Sequence, residues 1–177
     1  MNYDVVGLGQ CCIDYLGAVE HYPDINEKEE VNNLTVQGGG PVATAMVTLS
    51  RLGASTSFIG KISDDCFGDL IKDGLTSEFV NIDSTIVESD KRSQFAFIVI
   101  EKETGKRTVL WSRATVTPFR PEEINRGVIE SAKVLLLDGL EKEGSMAAAE
   151  YARDAGVTVV IDAGSLREGT LALVNMS

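Results

Sequence analysis

The chain has 177 residues, enough to bury a core as one domain, and its 44% hydrophobic and 24% charged residues are ordinary for a soluble globular protein. Its formal net charge of −11 argues against a nucleic-acid or anionic-membrane partner, either of which needs a basic surface. An anionic small molecule is not excluded, since a few local cations would hold it. No apolar run approaches membrane-spanning length, and the opening Met-Asn-Tyr-Asp lacks the basic and apolar stretches of a signal peptide. Three cysteines, Cys11, Cys12 and Cys66, make no disulfide framework, so reduced thiols in a cytoplasmic protein are expected.

Along the chain, Val5, Val6 and Leu8 predict a buried strand over 3–9 that ends in a glycine turn. Residues 15–36 read as extended. Val42, Ala45, Met46, Leu49 and Leu52 recur at helical spacing over 41–52, and 55–62 reads as a strand. Asp64 or Asp65 is placed to cap a helix whose apolar face holds Phe67, Leu70, Ile71, Leu75 and Phe79. A short strand follows over 82–87. Residues 93–112 alternate like a β-hairpin, with Glu101-Lys102-Glu103-Thr104-Gly105-Lys106 as its polar tip. Pro121, followed by Glu122 and Glu123, predicts a helix running to about Ala132. A strand over 134–138, a helix over 144–155 closed by Gly156, and a strand over 157–162 then form a βαβ unit and so a parallel sheet. A last helix begins near Gly169.

Three features carry chemistry. The run Gly38-Gly39-Gly40 opens the helix at Pro41, where missing side chains let the backbone approach a ligand and free N–H groups point outward. Asp14 lies past the Gly9 turn, in the region beyond strand C-termini where open α/β sheets bind ligands, and a carboxylate there can accept two hydroxyl hydrogen bonds. Asp138 also ends a strand. Other patterns fail. Gly7-Leu8-Gly9 begins a dinucleotide fingerprint, but position 12 is Cys. Gly105-Lys106 lacks the preceding glycine of a P-loop. His21 is the only histidine, which removes Ser–His–Asp and His-based zinc chemistry; no metal ligands are assigned.

The order Gly38-Gly39-Gly40-Pro41-Val42-Ala43-Thr44-Ala45, then Leu52-Gly53, then Gly60-Lys61-Ile62-Ser63-Asp64-Asp65-Cys66-Phe67-Gly68 resembles the N-terminal signature of the PfkB (ribokinase-like) carbohydrate kinases. That signature reads roughly Gly-Gly-x-x-Ala-Asn-x-Ala, Leu-Gly, Gly-x-x-Gly-Asp-Asp-x-Phe-Gly. The resemblance implies a ribokinase-like α/β fold: a mostly parallel sheet between helix layers (three-layer αβα) with a small antiparallel β lid. It also implies that residues 1–177 are the N-terminal part of the domain, with lid strands from about 15–37 and 93–113, and that the C-terminal part of the fold is missing. The implied activity is phosphoryl transfer from ATP, with Mg2+, to a hydroxyl of a sugar or sugar acid. By resemblance the substrate-binding residues are Asp14, Gly38, Gly39, Gly40, Thr44, Arg113, Asp138 and Arg167. Thr44 departs from the family's Asn. In Asp162-Ala163-Gly164-Ser165-Leu166-Arg167 the family's Asn is absent and its Arg comes one residue late. Arg113 looks like an Arg that some sugar-acid kinases use, and a solvated lid-edge Arg is the equal alternative. No Gly-Ala-Gly-Asp, the family's base and anion hole, occurs in the sequence, so no catalytic residue is assigned and the chain alone is expected to be inactive. Lids of this kind often pack on a second subunit's lid, which makes a homodimer an expectation. The alternative function is a non-catalytic sugar- or nucleoside-binding or lid-dimerising module.

Overall fold

Side-chain alternation along the first strand sets the layers. The computed structural model describes residues 2–164 and 167–177; Ser165 and Leu166 lie outside the described residues. In β1 (Tyr3–Leu8), Val6 and Leu8 face one way and Val5 the other, as a two-residue period requires. Val6 and Leu8 join Leu135, Leu137, Ile129 and Ala148 in one buried cluster; Val42, Met46, Phe58 and Ile71 form a second on the opposite face. Gly7 lets the second helix layer seat closely, since a Cβ there would stand 2.5 Å from Val42 Cγ1.

Three strands pair in parallel around β1: β4 (Thr56–Ile59) on one side, then β9 (Ala132–Leu137) and β10 (Thr158–Ile161) on the other. The lid holds β2 (Cys12–Val19), β3 (Asn33–Gly39), β7 (Phe95–Glu101) and β8 (Arg107–Ser112), in the order β3-β2-β7-β8. Its outer pairs are antiparallel, but the central β2–β7 pair is parallel, so the sheet is mixed rather than wholly antiparallel. β2 follows core strand β1, whereas β7 follows a separate two-stranded pair, so two helices and the strands between them separate the two central lid strands along the chain.

The helices are α1 (Pro41–Arg51), α2 (Cys66–Ser77), α3 (Arg126–Glu130), α4 (Lys142–Asp154) and α5 (Thr170–Val174). Helices α1 and α2 contribute to one core cluster, and α3, α4 and α5 to the other, which makes the expected three layers. Asp65 rather than Asp64 caps α2, accepting from Gly68 N at 2.9 Å. Gly156 closes α4 with φ 72°.

Several boundaries differ from the sequence reading. The strand expected over 55–62 breaks at Gly60 into β4 and β5 (Lys61–Ser63), which turns aside to pair with β6 (Ile86–Glu88). The helix expected from Pro121 is a single 3₁₀ turn, Pro121–Glu123, and α3 starts only after Asn125, whose side chain caps it through Val128 N. An internal Asn competes with the helix for backbone hydrogen bonds and restarts it. Of the apolar face expected on α2, Ile71 and Leu75 are buried, whereas Phe79 lies past the helix end and is 89% exposed.

Candidate functional site

The connection from β1 to β4 carries α1 on one face of the sheet, and the connection from β9 to β10 carries α4 on the other. Neighbouring strands β1 and β9 therefore send their chains to opposite faces, and a crevice opens beyond their C-terminal ends. Asp138, just past β9, spans that crevice. Its Oδ2 accepts from Gln10 N at 2.7 Å and its Oδ1 from Leu140 N at 3.0 Å. Burial pushes the Asp138 carboxyl above its ordinary range, against the pull of those two N–H groups. Gly9 is needed beside it, because a Cβ there would stand 2.3 Å from Asp138 Oδ2.

A cavity of about 180 Å³ lies over this crevice. Arg113 and Arg167 both line it, together with Lys61, Gln10, Gln94 and Glu141. The Arg113 guanidinium sits 5.3 Å over the Trp111 ring, a cation–π contact that fixes its plane. Gln10 Nε2 donates to Gln94 Oε1 at 2.6 Å, which ties the end of β1 to the root of the lid. Burial raises the Glu141 carboxyl, with Asp138 adding to it and Lys61 and Arg113 opposing.

Lys61 is the most constrained cation. Its side chain is 3% exposed and contacts Glu88 at 3.2 Å and Glu123 at 2.8 Å. It also donates to Thr117 Oγ1 at 3.2 Å and lies 5.2 Å from the Phe119 ring. The Lys61 hydrogen bond is the main cause that holds Glu123 down at about 2. Two carboxylates thus match the Lys61 charge, while Arg113 and Arg167 are exposed to the cavity.

The other predicted residues gather nearby. Lid register sets Gln37, Asp14, Ala96 and Trp111 in one row, on the opposite face from Ile13, Tyr15 and Phe95, which pack on the α2 side of the body. Asp14 thus lies inside β2 rather than in a turn, accepting from Cys12 Sγ at 3.2 Å. Gly39 makes room for it, since a Cβ there would fall 2.2 Å from Asp14 Oδ2. Gly40 has φ 98° and passes over Gln10 O, a backbone that excludes a side chain twice over. Gly38, Gly39 and Thr44 line a second cavity of about 310 Å³ between α1 and α2, closed at one end by Arg51 and Glu78. Cys11 borders both cavities, and burial pushes its thiol up to about 12. The structure therefore brings Arg113 and Arg167 together, places Asp138 beneath them, and sets the glycines and Thr44 on the far side of Cys11. Lys61, Gln10, Gln94 and Glu141 were missed by sequence reasoning. Only Lys61 had a local signal, a charged residue directly after a strand-breaking glycine.

ATP and Mg2+, implied by the resemblance, need converging carboxylates and a phosphate cradle. Among the described residues no three His, Cys, Asp or Glu side chains converge in a way that could hold a metal.

Residues 2–175 match the family described as pfkB family carbohydrate kinase. The chain is 32% identical over 170 residues to 5-dehydro-2-deoxygluconokinase of Geobacillus thermodenitrificans, covering 90% of this chain and 48% of that protein. It is 27% identical to probable fructokinase-5 of Arabidopsis thaliana, covering 89% of this chain and 50% of that one. A putative ribokinase from Agrobacterium tumefaciens superposes with a TM-score of 0.87 at 19% identity, over 99% of this chain and 56% of the other, which shows a shared fold. The chain spans about half the length of the curated relatives it matches.

Proposed function

Because the chain belongs to the pfkB family of carbohydrate kinases, we propose that it forms the substrate-binding half of an ATP-dependent kinase for a sugar acid. The observation that carries this reading is the pair Arg113 and Arg167 in one cavity at the sheet's switch point, in a chain of net charge −11. Two guanidinium forks suit a carboxylate, which accepts bidentately. Several curated relatives carry the name of a deoxygluconate kinase, which agrees with an acidic substrate.

In this reading the arginines hold the acid group. Gln10 and Gln94, which line the same cavity, offer donors and acceptors to the sugar's hydroxyls, and Asp14 and the glycines at 38–40, beyond Cys11, can meet only the far end of the substrate. Asp138 keeps the crevice open by fixing Gln10 and Leu140. ATP with Mg2+ would supply the transferred phosphoryl group. No Gly-Ala-Gly-Asp is present, so the base and anion hole must come from sequence beyond these residues, and the 177-residue chain alone is inactive. Free thiols at Cys11, Cys12 and Cys66 suit a reducing cytoplasm.

The lid supports one further element, homodimerisation. Leu34, Val36, Phe97 and Leu110 share the lid face that carries Tyr15, each between 45% and 61% exposed. A second copy would cover those residues, and sedimentation of Phe97→Glu against the unaltered chain tests it: a purely monomeric unaltered chain ends the idea.

Calorimetric titration with D-gluconate and D-fructose tests the substrate class. The acid should bind the chain at least about tenfold more tightly, and Arg113→Ala or Arg167→Ala should remove that preference. Equal affinity for both sugars, or a preference that survives both substitutions, would sink it.

A further inference from the structure

The segment that carries Arg113 has no regular structure of its own. After β8, residues 113–120 form neither helix nor strand before the chain re-enters the body at the 3₁₀ turn Pro121–Glu123. The outgoing segment, residues 89–94, leads from β6 into β7 and is fastened to the body beside the cap of α2. There Asp90 N donates to Asp64 Oδ1 at 3.1 Å and Ser93 N to Asp65 Oδ2 at 2.9 Å. The returning segment is held chiefly through side chains. Thr115 N donates to Arg92 O and Arg92 N to Thr115 Oγ1, each at 2.9 Å. Two residues on, Thr117 N donates to Glu88 Oε2 at 2.9 Å, and the Thr117 hydroxyl donates to Glu88 Oε1.

Lys61 completes this joint. Its Nζ donates to Glu88 Oε1 and Thr117 Oγ1, each at 3.2 Å, and to Pro118 O at 3.4 Å, and it meets Glu123 Oε2 at 2.8 Å. An ammonium has three N–H groups, and four acceptors here already share them. Lys61 lines the cavity with Arg113, yet its donors are spent on the protein, so its influence there runs through its partners. The Thr117 hydroxyl accepts from Lys61 and donates to Glu88, so a cation and a carboxylate fix it from both sides. The same cation grips Glu123 on the body side and lies by Phe119, which is buried in the core cluster of α4. The returning segment is thereby tied to the body at Thr117, while β8 holds the other side of Arg113 through the Phe95–Ser112 pairing.

We propose that Lys61 is a positioning residue for Arg113: through Thr117, Pro118 and Glu88 it sets where the guanidinium stands over the cavity, and so sets the preference for an acidic substrate. The substrate half of this statement rests on the function proposed above; the positioning half rests on the hydrogen bonds alone.

Thr117→Val removes the hydroxyl at an exposed residue and keeps the backbone donor. In calorimetric titration it should cut the preference for D-gluconate over D-fructose at least about threefold, with D-fructose affinity staying within about twofold. Thr117→Ser, which keeps the hydroxyl, should restore the preference. In an Arg113→Ala background Thr117→Val should change D-gluconate affinity less than about twofold, because the joint acts through that arginine. Lys61→Met should lose the preference as Thr117→Val does; if it fails to fold, the threonine variants and the double-mutant cycle decide. An undiminished preference in Thr117→Val, an equal loss for both sugars, or the same loss without Arg113 overturns the inference. Deuterium exchange separates that failure from failure of the acid reading. Without ligand, the amides of Thr115 and Thr117 should exchange at least about threefold faster in Thr117→Val. If the unaltered chain binds both sugars equally, faster exchange keeps Lys61 as the residue that positions this segment and discards the acid, whereas unchanged exchange discards both.

Discussion

The two cavities beside Cys11 differ in kind. The one over the β1–β9 crevice is small and lined by Lys61, Arg113, Arg167 and Glu141, whereas the larger one between α1 and α2 is lined chiefly by neutral residues, with charge only at the Arg51–Glu78 end. Size does not mark the chemistry. Strand ends at a switch point converge backbone N–H groups and charged side chains without costing core, while a groove between two amphipathic helices inherits their small and apolar faces. Substrate recognition by charge is therefore expected at the smaller cavity, and removing its supports should cost more than altering the larger one.

The largest expected effect is at Lys61. Removing one member of a buried ion cluster strands the others, so Lys61→Ala, which leaves Glu88 and Glu123 facing each other, should cost about 3 kcal/mol in urea unfolding. A loss under about 1 kcal/mol would show that water already screens this cluster. The same residue sets a pH response. Glu123 has its carboxyl lowered from 4.5 to about 2, so the stability it contributes is full above about pH 4.5 and declines as pH falls toward 2. In Lys61→Ala that acid limb should flatten; an unchanged limb would mean that Arg120, through its backbone N–H and guanidinium, holds Glu123 down without Lys61.

Next comes Asp138. Asp138→Ala orphans Gln10 N and Leu140 N in a buried setting and should cost about 2 kcal/mol, with ligand affinity falling as the crevice loosens. Asp138→Asn keeps one acceptor but turns an NH2 toward the other N–H, so it should recover only part of the stability. Full recovery would mean that a single hydrogen bond is enough to set the crevice.

The alternating layers were legible because local pattern and tertiary burial agree. Val5, Val6 and Leu8, the helical spacing from Val42 to Leu49, and the βαβ unit from Val134 to Ile161 each state their own period. The parallel β2–β7 pair was not legible, because strand direction in a lid depends on chain paths some eighty residues apart and leaves no mark on the period of either strand. The break at Asn125 was readable in principle as a cap, and was hidden by the acidic turn after Pro121, which reads equally well as a helix start. In the site, Arg113 and Arg167 were visible only through resemblance. Glu141 and Gln94 were invisible, since their roles come from three segments meeting above β1 and β9. Thr44 shows a limit of another sort. Counted from Gly39 the Gly-Gly-x-x-Ala-Asn-x-Ala pattern places Thr44 at the Asn, and counted from Gly38 it places Ala43, which is buried against the same cavity.

Thr44 also gives the smallest expected effect. It is exposed on α1, and its contribution to local hydrogen bonding is its carbonyl, which accepts from Thr48 Oγ1 at 2.8 Å. Thr44→Ala leaves that bond in place and replaces a β-branched residue by the best helix former, so stability should stay within about 0.5 kcal/mol or rise slightly. If the acid group sits at Arg113 and Arg167, D-gluconate affinity should change less than about twofold, since Thr44 lies beyond Cys11 and its hydroxyl contributes at most one weak contact. A tenfold loss of affinity without loss of stability would instead move the sugar ring into the larger cavity, leave the arginines at the edge of the site, and reverse the ranking of the two cavities.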